Sequence, residues 1–480
     1  MRKLLPFSVW FLFLSLPLSS QTQECFLIMV GPQASATGQV LLAHNNDLTG
    51  NEASLLVRVP AEEEMKILPD DALSFGPACD MLILQTNKGF AEGDAVAINE
   101  HGVAIAGGLS MKDDRSHRAR IADPLVKEGL GGGIRYYALQ HARTARECVE
   151  IIAACYNRYG ISYPSGTGIA DENEMWYLES GGGHSWAAMR IPANTYFVGA
   201  NSYRIEMVSF SNTVDYMWSP NLPELARETG FGQNGNFRFA DFFGGGRKEK
   251  YGNNLYNTLR LWRAVTLLTA TWHPSPDDKH FFPFLIPEKK ITPERCFKVL
   301  RDHYQGTPYD IFAPANKKNP PRAIADRRCV HTDLITLTPG LPASYGAVLW
   351  TGLSTPYSAI YIPVYFGVGE IPPGYDTAPD HFVNMSAFWI FKKLTDLSYS
   401  NYPVLMRKWS EQRKELEERE MRIQPAVLRQ AKEIADKDPE KLGDYLGRQT
   451  RQFAFDAIRL ASEQIYRLQQ ETKTPVLQKK

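Results

Sequence analysis

A chain of 480 residues, 44% hydrophobic and 22% charged, has the composition of a globular protein and room for about three average domains or one large one. Its 53 basic and 53 acidic side chains cancel, which leaves no electrostatic footprint for a nucleic acid or another polyanion. Six cysteines are too few for a fold hung on disulfides.

The chain begins as a secretory signal. Arg2 and Lys3 supply the charged start, residues 4–18 the apolar core, and Ser19-Ser20 the small residues of a cleavage site. The core is too short, and too interrupted by Pro6 and Pro17, for a spanning helix. Cleavage after Ser20 leaves Gln21-Thr22-Gln23-Glu24 as a short propeptide ahead of Cys25. Gln and Glu before the cysteine are unlike the small apolar residues of a lipid-attachment site. The expected protein is exported, periplasmic or extracellular, with no stable membrane insertion.

From Cys25 the apolar run Phe26-Leu27-Ile28-Met29-Val30 reads as a strand. A turn at Thr37-Gly38 leads to a second strand over 39–44, which ends in His44-Asn45-Asn46-Asp47. Two strands joined this way bring the end of the second beside the start of the first. Residues 55–59 and 81–84 read as further strands, and 96–105 as a hairpin with a polar, Gly-containing turn. Thr144-Ala145-Arg146-Glu147 is a capping-box pattern. The helix behind it puts Cys148, Ile151, Ile152 and Cys155 on one face and ends near Gly160. Cys148 and Cys155 are two helical turns, about 10 Å, apart, too far to bridge. Strands return at 168–170, 175–179, 185–191 and 196–201, then a helix over 253–270. The basic, Pro-interrupted stretch 317–328 reads as a loop, and 347–350 and 358–365 as strands. From about His381, Lys, Arg, Glu and Gln dominate. This tail reads as amphipathic helices with Trp409, Leu416 and Met421 among their apolar positions and a solvated charged face.

If everything before Cys25 is removed, one residue carries both a thiol and a free α-amino group. Ordinary values near ~8 for the amine and ~8.5 for the thiol put both close to physiological pH. An N-terminal amine that activates its own side chain is a route to covalent catalysis. The bland alternative is a buried structural cysteine. Other chemistries find less support. His44 and His184 are isolated, and His331 with Cys329 and Asp333 lacks zinc-ligand spacing. The glycine runs at 131–133, 181–183 and 244–246 do not continue as Gly-Lys-Ser/Thr, and no Gly-x-Ser-x-Gly elbow occurs. No metal and no cofactor is expected.

Cys25-x-x-x-x-Val30-Gly31 followed by His44-Asn45-Asn46-Asp47 resembles the start of the dipeptidase A family, C69, relatives of the secernins. Asn99-Glu100-His101-Gly102-Val103-Ala104-Ile105, Ala122-Asp123-Pro124-Leu125-Val126, Thr144-Ala145-Arg146-Glu147, Glu174-Met175-Trp176-Tyr177-Leu178-Glu179 and Gly183-His184-Ser185-Trp186 extend the resemblance to roughly Thr377. Their number and order make it specific. It implies an α+β, N-terminal-nucleophile hydrolase fold, a four-layer αββα sandwich over 25–380, with a helical region over 381–480. It also implies self-removal of the propeptide. The implied function is a secreted cysteine dipeptidase acting on small peptide substrates through a thioester. An acylase on N-acyl substrates and a non-catalytic secreted protein are the alternatives, and a homo-oligomer is left open.

The resemblance assigns roles as well. Asp47 is similar to the Asp that contacts the α-amino group, and Asn201 to the Asn that helps hold the oxyanion. Arg260 corresponds to the Arg near the nucleophile, with Arg263 as its rival. Ser110 falls where a backbone amide completes the oxyanion hole. Each has a plain reading too: turn residues for Asp47 and Asn201, a helix-pairing arginine for Arg260, a loop serine for Ser110. His44 stands where the family has Arg, so any substrate anchoring there rests on a side chain only partly charged near neutral pH.

Overall fold

In a computed structural model, residues 25–473 are described apart from 71, 90–94, 246–254, 270–271, 273 and 279–280. The expected signal, the propeptide and part of the third glycine run lie outside the described residues. In chain order the strands are β1 (Phe26–Val30), β2 (Val40–Asp47), β3 (Ser54–Val59), β4 (Met81–Thr86), β5 (Ala95–Asn99), β6 (Ala104–Ser110), β7 (Ser165–Ala170), β8 (Met175–Gly182), β9 (Ser185–Ile191) and β10 (Tyr196–Gly199). They continue as β11 (Val208–Ser209), β12 (Tyr216–Trp218), β13 (Gly232–Gln233), β14 (Asn236–Phe237), β15 (Phe284–Leu285), β16 (Cys329–Leu337), β17 (Ala347–Leu353) and β18 (Ile362–Tyr365).

A seven-stranded sheet runs β15-β10-β1-β2-β16-β17-β18, and an eight-stranded sheet runs β12-β9-β8-β7-β6-β5-β4-β3. β11, β14 and β13 form a small third sheet. β1 is apolar throughout because both of its faces are covered. Leu27 and Met29 enter the layer between the two large sheets, with Leu42, Leu82, Leu84 and Val96. Phe26, Ile28 and Val30 pack instead on helices that include Leu255–Leu268 and Pro293–Leu300. The second sheet does the same in mirror fashion, with Ile83, Ala97 and Ile105 against the helices Ile134–His141 and Ala145–Tyr159. The period of two along each strand therefore builds the four layers, αββα, that the resemblance implies. The sheets touch closely at Gly168 on β7, where an added Cβ would stand 2.9 Å from Met29 Sδ.

Thr144 caps its helix as expected, its side chain accepting the Glu147 N–H, and Gly160 closes that helix at φ +73°. The helix expected over 253–270 is described as Leu255–Leu268, and the strand expected over 358–365 starts only at Ile362. The basic stretch 317–328 is a loop. All six cysteines are buried, and none is bridged in a disulfide.

The C-terminal helices are Ala387–Ser398, Tyr402–Leu405, Arg407–Lys437 and Leu442–Lys473. Phe388, Phe391, Trp409 and Phe453 join the apolar cluster that fills the space between the sheets. Among the described residues, no helix is long and apolar enough to cross a membrane. The buried Glu417 carboxylate accepts from Arg301 Nη1 (2.9 Å), Arg301 Nη2 (2.5 Å) and the Tyr361 N–H (3.0 Å). Glu417→Ala leaves the Arg301 guanidinium without this partner, so unfolding should cost about 3–5 kcal/mol less. A single thermal transition moving down as one unit is the expected result. A melt within about 0.5 kcal/mol of wild type would show that this helix is not part of the cooperative unit.

Candidate active site

The antiparallel register of β1 and β2 pairs Phe26 with Asn45 and Leu27 with His44, so the polar end of β2 runs beside Cys25. The Cys25 thiol donates to Asn46 Oδ1 at 3.7 Å. β10 flanks β1 on its other side, with Leu27 opposite Gly199, which carries Asn201 to the same end of the sheet.

Arg260 reaches the group from the helix Leu255–Leu268. Its Nη1 donates to the Cys25 carbonyl (3.0 Å), and its Nη2 to Asn201 Oδ1 (3.0 Å) and Asn257 Oδ1 (2.7 Å). Asn257 Nδ2 donates in turn to the Asn201 carbonyl (3.0 Å). Arg260 and Asn257 share a helix face at i, i+3 spacing. Because a guanidinium can only donate, the atom of Asn201 that it holds must be oxygen, and this sets the direction of the Nδ2 donors. Arg263 leaves the site: its Nε donates to Asp302 (2.8 Å) and its Nη2 to the Gln305 carbonyl (3.0 Å).

Asp47, fully buried at the end of β2, pairs through Oδ2 with Arg322, and Arg322 pairs with Asp326. Burial pushes the Asp47 carboxyl up to about 7 against the pull of Arg322. Burial acts on Asp326 in the same direction, but Arg322 and Arg328 outweigh it and hold that carboxyl well below its usual range. Asp47 Oδ1 has no hydrogen-bond donor in normal geometry among the described residues. The Cys329 thiol lies beside the same carboxylate but donates to the His331 carbonyl (2.9 Å). Beside this ion-pair chain opens a cavity of about 640 Å³, lined by Tyr256, Leu259, Tyr309, Arg322, Asp326 and Arg327 among others. Tyr256 and Leu259 flank Arg260 on its helix.

The remaining two candidates are His44 and Ser110. His44 is fully buried between the sheets with Nδ1 3.2 Å from Asp333 Oδ2, and burial together with Arg135 lowers its ring to about 3. The partly charged histidine expected from sequence is therefore a neutral one. Ser110 ends β6 on the second sheet, buried, with no partner for Oγ among the described residues. The segment that follows Asn201 is held by buried Glu179, whose carboxylate accepts the N–H groups of Arg204 and Ile205 (3.0 Å for the latter). Burial raises Glu179 to about 7.

The sequence model of Peptidase family C69 matches residues 24–415. The chain belongs to that family. It is 30% identical over 394 residues to a protein named "Probable dipeptidase" in Salmonella dublin, covering 79% of this chain and 88% of that one. It is 28% identical over 408 residues to "Probable dipeptidase B" of Lactococcus lactis, covering 80% and 83%.

In this C69 peptidase the residues that sequence reasoning missed are Asn257, Arg322 and Asp326. Asn257 stood one helical turn before Arg260, and that spacing was its signal. Arg322 lies 275 residues from Asp47 in a loop with no periodicity, and nothing local announced it.

Proposed function

We propose that this C69 peptidase is an exported dipeptidase whose nucleophile is the thiol of Cys25, exposed as the mature N-terminus when the preceding residues remove themselves. The observation that carries the reading is that Arg260 holds both the carbonyl of Cys25, the cysteine that heads β1, and the Asn201 side chain, with Asp47 at the end of the strand paired to β1. The names of the relatives supply the substrate class.

In the proposed cycle the α-amino group of Cys25 takes the thiol proton. Asp47 Oδ1 receives the resulting ammonium, and Arg322 holds the other carboxylate oxygen. The thiolate adds to the peptide carbonyl. Asn201 Nδ2 and a backbone N–H stabilise the oxyanion, a contact worth about 3–4 kcal/mol per donor. The C–N bond breaks as the ammonium returns its proton to the departing amine. Water then adds to the thioester, and its collapse restores the thiol. Arg260 keeps the Cys25 carbonyl and the Asn201 amide in place throughout. No step calls for a cofactor.

The test is an N-terminal sequence and intact mass of the mature protein, followed by side-by-side assays on free dipeptides and N-acyl amides. The expected chain starts at Cys25 and turns over dipeptides at least about tenfold faster in kcat/KM. Faster cleavage of N-acyl amides would make it an acylase on the same fold. A mature chain that keeps Gln21–Glu24 and cleaves neither substrate would make it non-catalytic.

A further inference from the structure

β2 and β16 lie side by side with Asp333 opposite His44 and His331 opposite Asn46. Strand alternation sends His44, His331 and Asp333 into the layer between the sheets, on the same face as Leu42 and Ile335. All three are fully buried. One donor atom from each lies within 4.8 Å of the other two.

Three features of the cluster fit a bound cation. His44 Nδ1 and Asp333 Oδ2 are 3.2 Å apart. Two donors at about 2.0–2.1 Å from a shared tetrahedral ion stand about 3.3 Å apart, so this spacing serves a metal as well as a hydrogen bond. His331 Nδ1 is held by Ser54 Oγ at 3.0 Å, which orients the ring and leaves Nε2 as its ligand atom. Among the described residues His331 Nε2, the atom left to ligate, has no hydrogen-bond partner, a costly state for a polar atom in a dry layer.

We propose that His44, His331 and Asp333 form a site for a divalent transition-metal ion of the zinc class, separate from the Cys25 thiol. Two imidazoles and one carboxylate are a nitrogen-rich donor set, which zinc-class ions accept and the oxygen-seeking calcium and magnesium do not. The cation that bears on His44 is Arg135, whose guanidinium donates to Thr167 Oγ1 (3.1 Å) and the Gly107 carbonyl (3.4 Å). Its repulsion acts equally on any ion, so affinity must come from direct imidazole bonds. The bound ion would lock β2, which carries Asn46 and Asp47, to β16. Through Ser54 it would tie both to β3 of the opposite sheet.

The ligands are sealed in the core, so the full chain is produced in zinc-supplemented medium and loaded as it folds. Cys25→Ser is the parent, which removes the nucleophilic thiol as a competing ligand. The expected result is about one zinc per chain by elemental analysis. Its thermal midpoint should stand about 2 °C or more above that of zinc-free chain. His331→Gln should lower the metal content at least about tenfold, with Asp333→Asn as the second variant if the first does not fold. A parent that holds less than about 0.1 zinc per chain overturns the proposal. So does zinc that survives in a folded His331→Gln or Asp333→Asn chain, for it would then sit at the group of buried Cys79 with exposed Glu100 and His101, or elsewhere.

Discussion

Replacing Cys25 with alanine is expected to end peptide hydrolysis, lowering kcat/KM by about 10⁴-fold or more. The size of the loss follows from what remains. Asn201 and a backbone N–H can hold a carbonyl oxygen, but neither can form the thioester. None of the other five thiols can stand in, because none shares its residue with an α-amino group that could take its proton. Burial pushes those of Cys79, Cys155 and Cys296 up to about 12, so their thiolates are scarce at neutral pH. Cys25→Ser keeps the volume but substitutes a hydroxyl that is far harder to ionise, and it should fall between alanine and wild type. The measurement is dipeptide turnover by the purified variants, with circular dichroism to show that the fold is kept. An alanine variant that turns over within about tenfold of wild type would remove Cys25 from the chemistry. Asp47 or another carboxylate would then have to act through water.

β1 was legible because both of its faces meet apolar layers, which makes the strand one unbroken hydrophobic run. β16, its neighbour but one in the same sheet, was not. Its inward positions at the start are His331 and Asp333 instead of hydrophobes, so Cys329-Val330-His331-Thr332-Asp333 breaks the alternation that marks a strand. The same two residues failed as a metal motif for a related reason. Their third partner, His44, is 289 residues from Asp333 in sequence, and only strand pairing brings them together. The choice between Arg260 and Arg263 was likewise beyond sequence. The two lie three apart on one helix, so periodicity places both on nearly the same face. Tertiary partners separate them: Asp302 draws Arg263 away, while the Cys25 carbonyl and Asn201 take Arg260.

Asp47→Asn should cost about 10²–10³-fold in kcat/KM and, more tellingly, change the shape of the pH profile. The Asp47 carboxyl titrates near 7, above its ordinary value of 3.8, because burial outweighs the pull of Arg322. Below about pH 7 it is neutral and offers no charge to the ammonium of Cys25. Wild-type kcat/KM is therefore expected to rise with pH through about 7, with Asp47 as the group that must lose its proton. The stability effect has the opposite sign. A carboxyl raised on folding stabilises fully below its unfolded value of 3.8, and that contribution is lost as pH rises through about 7. Asparagine cannot titrate, so the variant should lose both the acid limb in rate and this slope in stability. Glu179 titrates in the same range and holds the segment after Asn201, so Glu179→Gln is the necessary control. If the limb disappears in Glu179→Gln and persists in Asp47→Asn, the titrating group is Glu179, and Asp47 serves only to anchor Arg322. If it disappears only in Asp47→Asn, the buried carboxylate at the end of β2 sets the protonation state in which the cysteine works.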